Sequence, residues 1–157
     1  MHIVFICTGN ICRSPFAEKL AAKLAEEEGL TALSFSSAGV LATPDDECSD
    51  SSITAAKAFG VSLQEHRARP LSDELLESAS LLVVMEEEQV RSIRDFSPTF
   101  PVDRIQNLAS YAPGPNRPLL VPDPHRAGLW AHQASYRFIS VCVQRLLEVI
   151  KVIQKVA

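Results

Sequence analysis

The sequence predicts an α/β fold: a single-domain three-layer sandwich over residues 1–157, with a four-stranded parallel twisted sheet flanked by helices. Three observations carry that expectation. Short apolar runs alternate along the chain with stretches of helical periodicity, the pattern of βαβ units. The clearest runs, in residues 2–7 and 81–85, are nearly continuous in apolar residues rather than alternating, which suits strands buried on both faces. A chain of 157 residues, 46% hydrophobic and 22% charged, can close one sizeable core and is short for two.

The elements follow in order. His2 to Cys7 is the first strand. Pro15 opens a helix from Phe16 to Glu28, with Phe16, Leu20 and Leu24 at intervals of four and Gly29 as its stop. Leu33 to Ser37 is read as the second strand. Ser49 or Ser51 caps a helix carrying Ile53, Ala56 and Phe59, and Ser72 begins a short one with Leu75 and Leu76 on one side. Leu81 to Met85 is the central strand. Glu86 to Phe96 is a helix with Val90 and Ile93 inward, and Arg104 to Leu108 the fourth strand. The last helix, about Leu129 to Val156, repeats Phe138, Val141, Cys142, Leu146, Val149, Ile150 and Ile153 at helical spacing. Residues 110–128 form a long irregular stretch holding Pro113, Pro115, Pro118, Pro122 and Pro124. A loop of that length in a compact domain is functional or disordered, and because it carries Asp123 it is read as an ordered site loop.

The most informative feature lies between the first strand and the first helix, Cys7-Thr8-Gly9-Asn10-Ile11-Cys12-Arg13-Ser14. A loop there can aim successive backbone N–H groups inward, and the helix beyond adds its positive dipole end. That is a phosphate cradle, and the same field favours a thiolate at Cys7. Arg13 supplies a two-pronged fork for phosphoryl oxygens, which lysine would not reproduce. Ser14 can donate a hydrogen bond to the thiolate, and Asn10 tolerates left-handed backbone mid-loop. Thr8, Gly9, Asn10, Ile11, Cys12 and Ser14 are therefore taken as substrate-binding residues together with the two flanking groups. In open parallel sheets ligands sit beyond the carboxyl ends of strands, so this loop and the Asp123 loop can meet on one edge.

Composition narrows the partners. A net charge of −4 gives no reason to expect nucleic acid or an anionic membrane. No run approaches the roughly 18 apolar residues of a membrane span, and no signal peptide is visible. Cys7, Cys12, Cys48 and Cys142 are too few and too scattered for a disulfide scaffold, and their spacing does not suit zinc. Reduced cysteines in the cytoplasm, with no metal and no cofactor, are the expectation. Cys142 is read as core and Cys48 as a loop thiol.

The stretch from Cys7 to Pro15, with Asp123-Pro124 downstream, resembles the low-molecular-weight protein tyrosine phosphatases. Ser37-Ala38-Gly39 and Met85-Glu86 look like the same family, and the likeness covers essentially the whole chain. It implies hydrolysis of phosphotyrosine or small aryl phosphates, releasing inorganic phosphate, with Cys7 as nucleophile, Arg13 on the phosphoryl oxygens and Asp123 as general acid, then base. It also implies a tie between Asn10 and a histidine, for which His66 is the candidate, and a redox disulfide between Cys7 and Cys12. Cys12 is alternatively a small packing residue.

Two departures bear on substrate. His125 and Arg126 stand where family members acting on phosphotyrosine carry aromatic residues, and Val40 and Leu41 occupy another aromatic position. Leu41 and His125 are expected to line the substrate pocket. Arg126 is either a contact for a phosphopeptide carboxylate or, in the favoured reading, solvated. Arginine phosphatases of the same family carry Thr where this chain has Ile11, which makes phosphoarginine the alternative substrate. Arsenate reduction, needing two further cysteines near the site, ranks below it, and a non-enzymatic phosphate-binding module has no use for Cys7 together with Asp123.

Overall fold

The computed structural model describes residues 1–156. The first strand, β1 (His2–Cys7), is buried from Ile3 onward and lies inside the sheet. It pairs in parallel with β2 (Ser34–Gly39) on one side and β3 (Leu81–Val84) on the other, and β3 pairs in parallel with β4 (Ile105–Asn107). The strand order is thus β2-β1-β3-β4, with β2 and β4 at the edges. Register places Cys7 beside Gly39, Ile6 beside Val84, and Val84 beside Asn107. The carboxyl ends of all four strands therefore share one edge, and every chain segment that leaves it can reach a common site.

The period of two along β1 decides which helices cover which face. Ile3, Phe5 and Cys7 point into a core formed with α1 (Arg13–Glu27), α2 (Asp50–Lys57) and α5 (Gly128–Val156). Val4 and Ile6 point into a second core with Leu75 and Leu76 of α3 (Asp73–Ser78) and Ile93 of α4 (Glu87–Phe96). Three layers result, as expected from the sequence.

Differences of detail have physical reasons. Helix α1 begins at Arg13 rather than Phe16, with Pro15 in the first turn, where its missing N–H leaves no intrahelical bond unmade. Ser49 and Ser72 cap α2 and α3 by accepting from the backbone N–H groups of Ser52 and Leu75. Glu86 is the N-cap of α4, in a reciprocal capping box with Gln89. Leu108 leaves the fourth strand for a 3₁₀ turn, Leu108–Tyr111.

One expectation is corrected and another refined. The buried stripe of α5 runs through Tyr136, Ile139, Cys142, Val143, Leu146, Leu147 and Ile150, whereas Val141, Val149 and Ile153 turn outward, Ile153 being 60% exposed. Cys48 does lie in a loop, just before α2, but that loop thiol is buried in the core.

Candidate active site

Backbone geometry builds the cradle before any side chain acts. The N–H groups of Val40 and Leu41, just past β2, donate to the carbonyls of Cys7 and Thr8 at 3.0 and 2.9 Å. Those carbonyls are held outward, leaving the loop's amides free to face inward. The close approach needs Gly39, since a Cβ there would lie 2.5 Å from the Thr8 carbonyl oxygen and 2.9 Å from the Asn10 nitrogen. Ser-Ala-Gly after β2 is thus a packing requirement of the cradle, not a contact with ligand.

Asn10 anchors the loop's centre. It is fully buried and left-handed, with φ of 56°. Its side-chain amide donates to Ser14 Oγ and Ser37 Oγ, both at 2.9 Å, and its Oδ1 accepts from the Arg69 backbone N–H at 3.0 Å. The Ser37 hydroxyl passes its proton to Glu18 Oε2 at 2.6 Å. His66 Nε2 donates to the Asn10 carbonyl at 2.8 Å, the histidine tie implied by the resemblance, made through backbone rather than side chain. Burial holds the His66 imidazole below its ordinary value, consistent with a neutral ring.

These bonds fix what surrounds Cys7. Ser14 Oγ accepts from the Asn10 amide, lies 2.9 Å from Cys7 Sγ and is 3.5 Å from the Ala38 carbonyl, so its hydrogen can go to the sulfur or to that carbonyl. The Asn10 backbone N–H donates to the same sulfur at 3.2 Å. The Asn10 N–H and the Ser14 hydroxyl thus both lie within hydrogen-bond reach of Cys7 Sγ.

Arg13, 2% exposed, is clamped by Val121 O at 3.2 Å, Glu86 Oε1 at 3.0 Å and Asp123 Oδ2 at 3.1 Å. Asp123 itself is nearly half exposed, and its Oδ1 accepts from the His125 N–H at 3.1 Å. Cys12 is buried at the start of α1, 3.6 Å from His132 Nε2, and burial pushes its thiol up to about 11. All four cysteines are free.

One cavity of about 300 Å³ gathers Cys7, Thr8, Gly9, Ile11, Cys12, Arg13, Leu41, Asp123 and His125. Nine of the residues singled out by the sequence thus share it. Asn10 and Ser14 do not line it. Both are fully buried, Asn10 within the loop and Ser14 in the first turn of α1, and both meet Cys7 Sγ. Sequence reasoning passed over Thr43 and Asp46, which line the same cavity, together with Arg126, which it left as solvated. It also missed the roles of Glu86, Gln89, Ser37 and Glu18. The Glu86-x-x-Gln89 spacing was a signal for a capping box, but not for the ion pair to Arg13. Among the described residues no group of three His, Cys, Asp or Glu side chains is placed to hold a metal.

Comparison with known proteins gives this geometry a family. Residues 2–156 match the profile described as "Low molecular weight phosphotyrosine protein phosphatase". A protein-arginine-phosphatase of Bacillus subtilis is 36% identical over 122 residues, 78% of this chain and 79% of that protein. A low molecular weight protein-tyrosine phosphatase A of Mycobacterium bovis is 34% identical over 128 residues, 80% of this chain and 76% of that one. Among solved structures, a YwlE arginine phosphatase with a phosphorylated active-site serine superposes with a TM-score of 0.87 at 30% identity, covering 96% of both chains. The chain belongs to the low molecular weight phosphotyrosine protein phosphatase family.

Proposed function

We propose that this phosphatase hydrolyses phosphotyrosine and other aryl phosphate monoesters through a cysteinyl-phosphate intermediate. Cys7 attacks phosphorus in line, and the leaving oxygen takes a proton from Asp123. Arg13 and the cradle amides stabilise the equatorial oxygens, the dominant electrostatic contribution in such reactions. The same Asp123 carboxylate then accepts a proton from the water that clears the intermediate, releasing inorganic phosphate. The observation that carries this reading is the placement of Cys7 Sγ, accepting from the Asn10 N–H and 2.9 Å from Ser14 Oγ, in a cavity that also holds Arg13 and Asp123. Asp123 is paired with Arg13. A phosphoryl group entering the cradle competes for that guanidinium and leaves the carboxyl facing the leaving oxygen.

Phosphoarginine is the second reading, favoured by the arginine phosphatase among the relatives. Against it stands Ile11, whose branched apolar side chain lines the cavity. It can pack on an aromatic ring and offers no hydrogen bond to a guanidinium. Arsenate reduction lacks its relay. Cys48 and Cys142 are buried in the core, with thiols pushed up to about 12 and about 11, burial being the main cause. Four free cysteines suit a reducing cytoplasm, and no helix among the described residues is long and apolar enough to cross a membrane.

The deciding experiment compares kcat/KM for phosphotyrosine and phosphoarginine peptides on native protein and Ile11→Thr. Native preference for phosphotyrosine, shifted toward phosphoarginine in the variant, is expected. A native preference for phosphoarginine overturns the aryl reading and promotes the second.

A further inference from the structure

The cavity's two walls come from opposite edges of the sheet. Leu41, Thr43 and Asp46 follow β2, while Asp123, His125 and Arg126 lie in the chain that follows β4, and the cradle after β1 is between them. Both walls end in the same device, a four-residue turn with a left-handed, non-glycine residue in third place. On one side the Asp46 N–H donates to the Thr43 carbonyl at 3.3 Å, with Asp45 at φ 68°. On the other the Ala127 N–H donates to the Pro124 carbonyl at 3.0 Å, with Arg126 at φ 59°. Aspartate tolerates that backbone, but arginine has no such excuse, and glycine or asparagine would relax it. An outlier of this kind at the mouth of a site points to a use for the side chain.

Two charges on these walls, Asp46 and Arg126, are uncommitted. Asp123 is taken by Arg13, and Glu47, next after Asp46, pairs with Arg67 at 2.9 Å. Neither Asp46 nor Arg126 has an ion-pair partner among the described residues. The Asp46 backbone is pinned from behind, its carbonyl accepting from the Ala68 N–H at 2.8 Å. The cradle is thus flanked by a carboxylate on a pinned backbone at one rim and a guanidinium at the other.

We propose that this rim reads opposite charges on the two sides of the phosphorylated residue, Arg126 engaging a flanking carboxylate and Asp46 a flanking ammonium or guanidinium. The preferred substrate is a phosphotyrosyl peptide that is acidic on one side and basic on the other, threaded in one direction across the cavity. This rests on the phosphotyrosine reading above and adds a directional selectivity to it. The strained turn holds Arg126 over the cavity, and the aromatic wall that Arg126 and His125 replace is exchanged for charge recognition.

The test uses two peptides of equal composition, one with Glu before and Lys after the phosphotyrosine, the other with the order reversed. Turnover of p-nitrophenyl phosphate, which has no flanking group, is the reference for each protein. At low salt one order is expected to exceed the other in kcat/KM, each rim contact giving about two- to fivefold. The ratio should collapse at about 1 M salt, where screening acts within about 3 Å. Arg126→Asn, which keeps a residue tolerant of the left-handed turn, and Asp46→Asn should each reduce the ratio at low salt. Equal rates for the two orders, or a ratio that both variants leave intact, overturn the inference while the phosphotyrosine reading stands. Hydrolysis of neither peptide overturns both.

Discussion

The cradle and the loop that carries Asp123 meet in one cavity, yet they are held in opposite ways. Around the cradle Asn10, Arg13 and Ser14 are buried, and polar side chains two layers deep, Ser37, Glu18 and His66 among them, fix the loop that surrounds the sulfur. The loop before α5 is tied mostly through its backbone, by Val121 N–H to the Met85 carbonyl and the Ser135 hydroxyl to the Pro122 carbonyl, both at 2.8 Å, the Asn107 amide to the Leu119 carbonyl at 2.9 Å, and Arg13 to Val121, with the Arg13–Asp123 ion pair beside them. Its prolines restrict φ without adding hydrogen bonds. Leu119 is 87% exposed, and the Asp123 side chain 46%. The proposed mechanism accounts for the difference: a nucleophile that must meet phosphorus along one line needs exhaustive support, whereas a carboxyl that is to serve two proton transfers needs reach more than rigidity.

The largest expected effect breaks the cradle side. Cys7→Ser should reduce turnover of p-nitrophenyl phosphate below about one part in a thousand while phosphate binding persists. The groups that meet the sulfur are the Asn10 N–H and the Ser14 hydroxyl, neither of them a general base. Nothing there takes a proton from a serine hydroxyl. Turnover above that level in the variant removes Cys7 from the mechanism.

On the other side, Asp123→Ala should slow poor leaving groups by about a hundredfold to ten-thousandfold. Nitrophenolate departs with little help and should be much less affected. Arg13 keeps Glu86 and the Val121 carbonyl, so the fold should survive. Equal losses for good and poor leaving groups would reduce Asp123 to a turn residue.

One substitution applied to both regions sharpens the contrast. At Gly39 an added Cβ strikes cradle backbone, whereas at Gly114 it meets nothing within 4 Å, although φ of 89° strains it. Gly39→Ala should therefore destabilise by about 1–3 kcal/mol and lower kcat, because relief means moving the Thr8 and Asn10 peptides. Gly114→Ala should cost about 1–2 kcal/mol in stability with kcat intact. Denaturation midpoints measured beside kcat separate them. An unchanged kcat in Gly39→Ala would mean that the cradle yields without penalty.

The same contrast explains what was legible in the sequence. The cradle is contiguous, so its chemistry could be read from Cys7, Asn10, Arg13 and Ser14 and their spacing, and the parallel strands announced themselves by continuous apolar runs. Asp123 meets Arg13 across more than a hundred positions, and only the demand for a proton donor, with the family likeness, picked it out. Glu86 was named as part of a likeness, but its ion pair with Arg13 depends on the order of β1 and β3 in the sheet, which no local pattern encodes. In α5 the periodicity was plain and its phase was not, since valines populate the solvent face as well. Cys48 lies in a loop as expected, but its burial depends on core residues remote in sequence, which no local pattern shows.

The smallest expected effect probes the outermost support of the cradle. His66 donates to the Asn10 carbonyl, and a neutral hydrogen bond of this kind contributes about 0.5–1.5 kcal/mol. Burial, the largest influence, lowers the imidazole from its ordinary value of 6.5. The Asn10 carbonyl and the Glu18 carboxylate favour the proton, while Lys19 and Arg69 disfavour it. With the folded value below the unfolded one, the unfolded chain binds more protons in the window beneath 6.5, and stability there rises with pH. The contribution is fully present above 6.5 and is lost as pH falls through that value toward the folded one. The stability difference between native protein and His66→Gln should accordingly be largest above neutrality and shrink on acidification, as read from urea midpoints at several pH values. A difference that grows toward acid would mean that the folded site prefers the imidazolium, with Glu18 outweighing burial, and that the cradle's outer support is an ion pair rather than a neutral hydrogen bond.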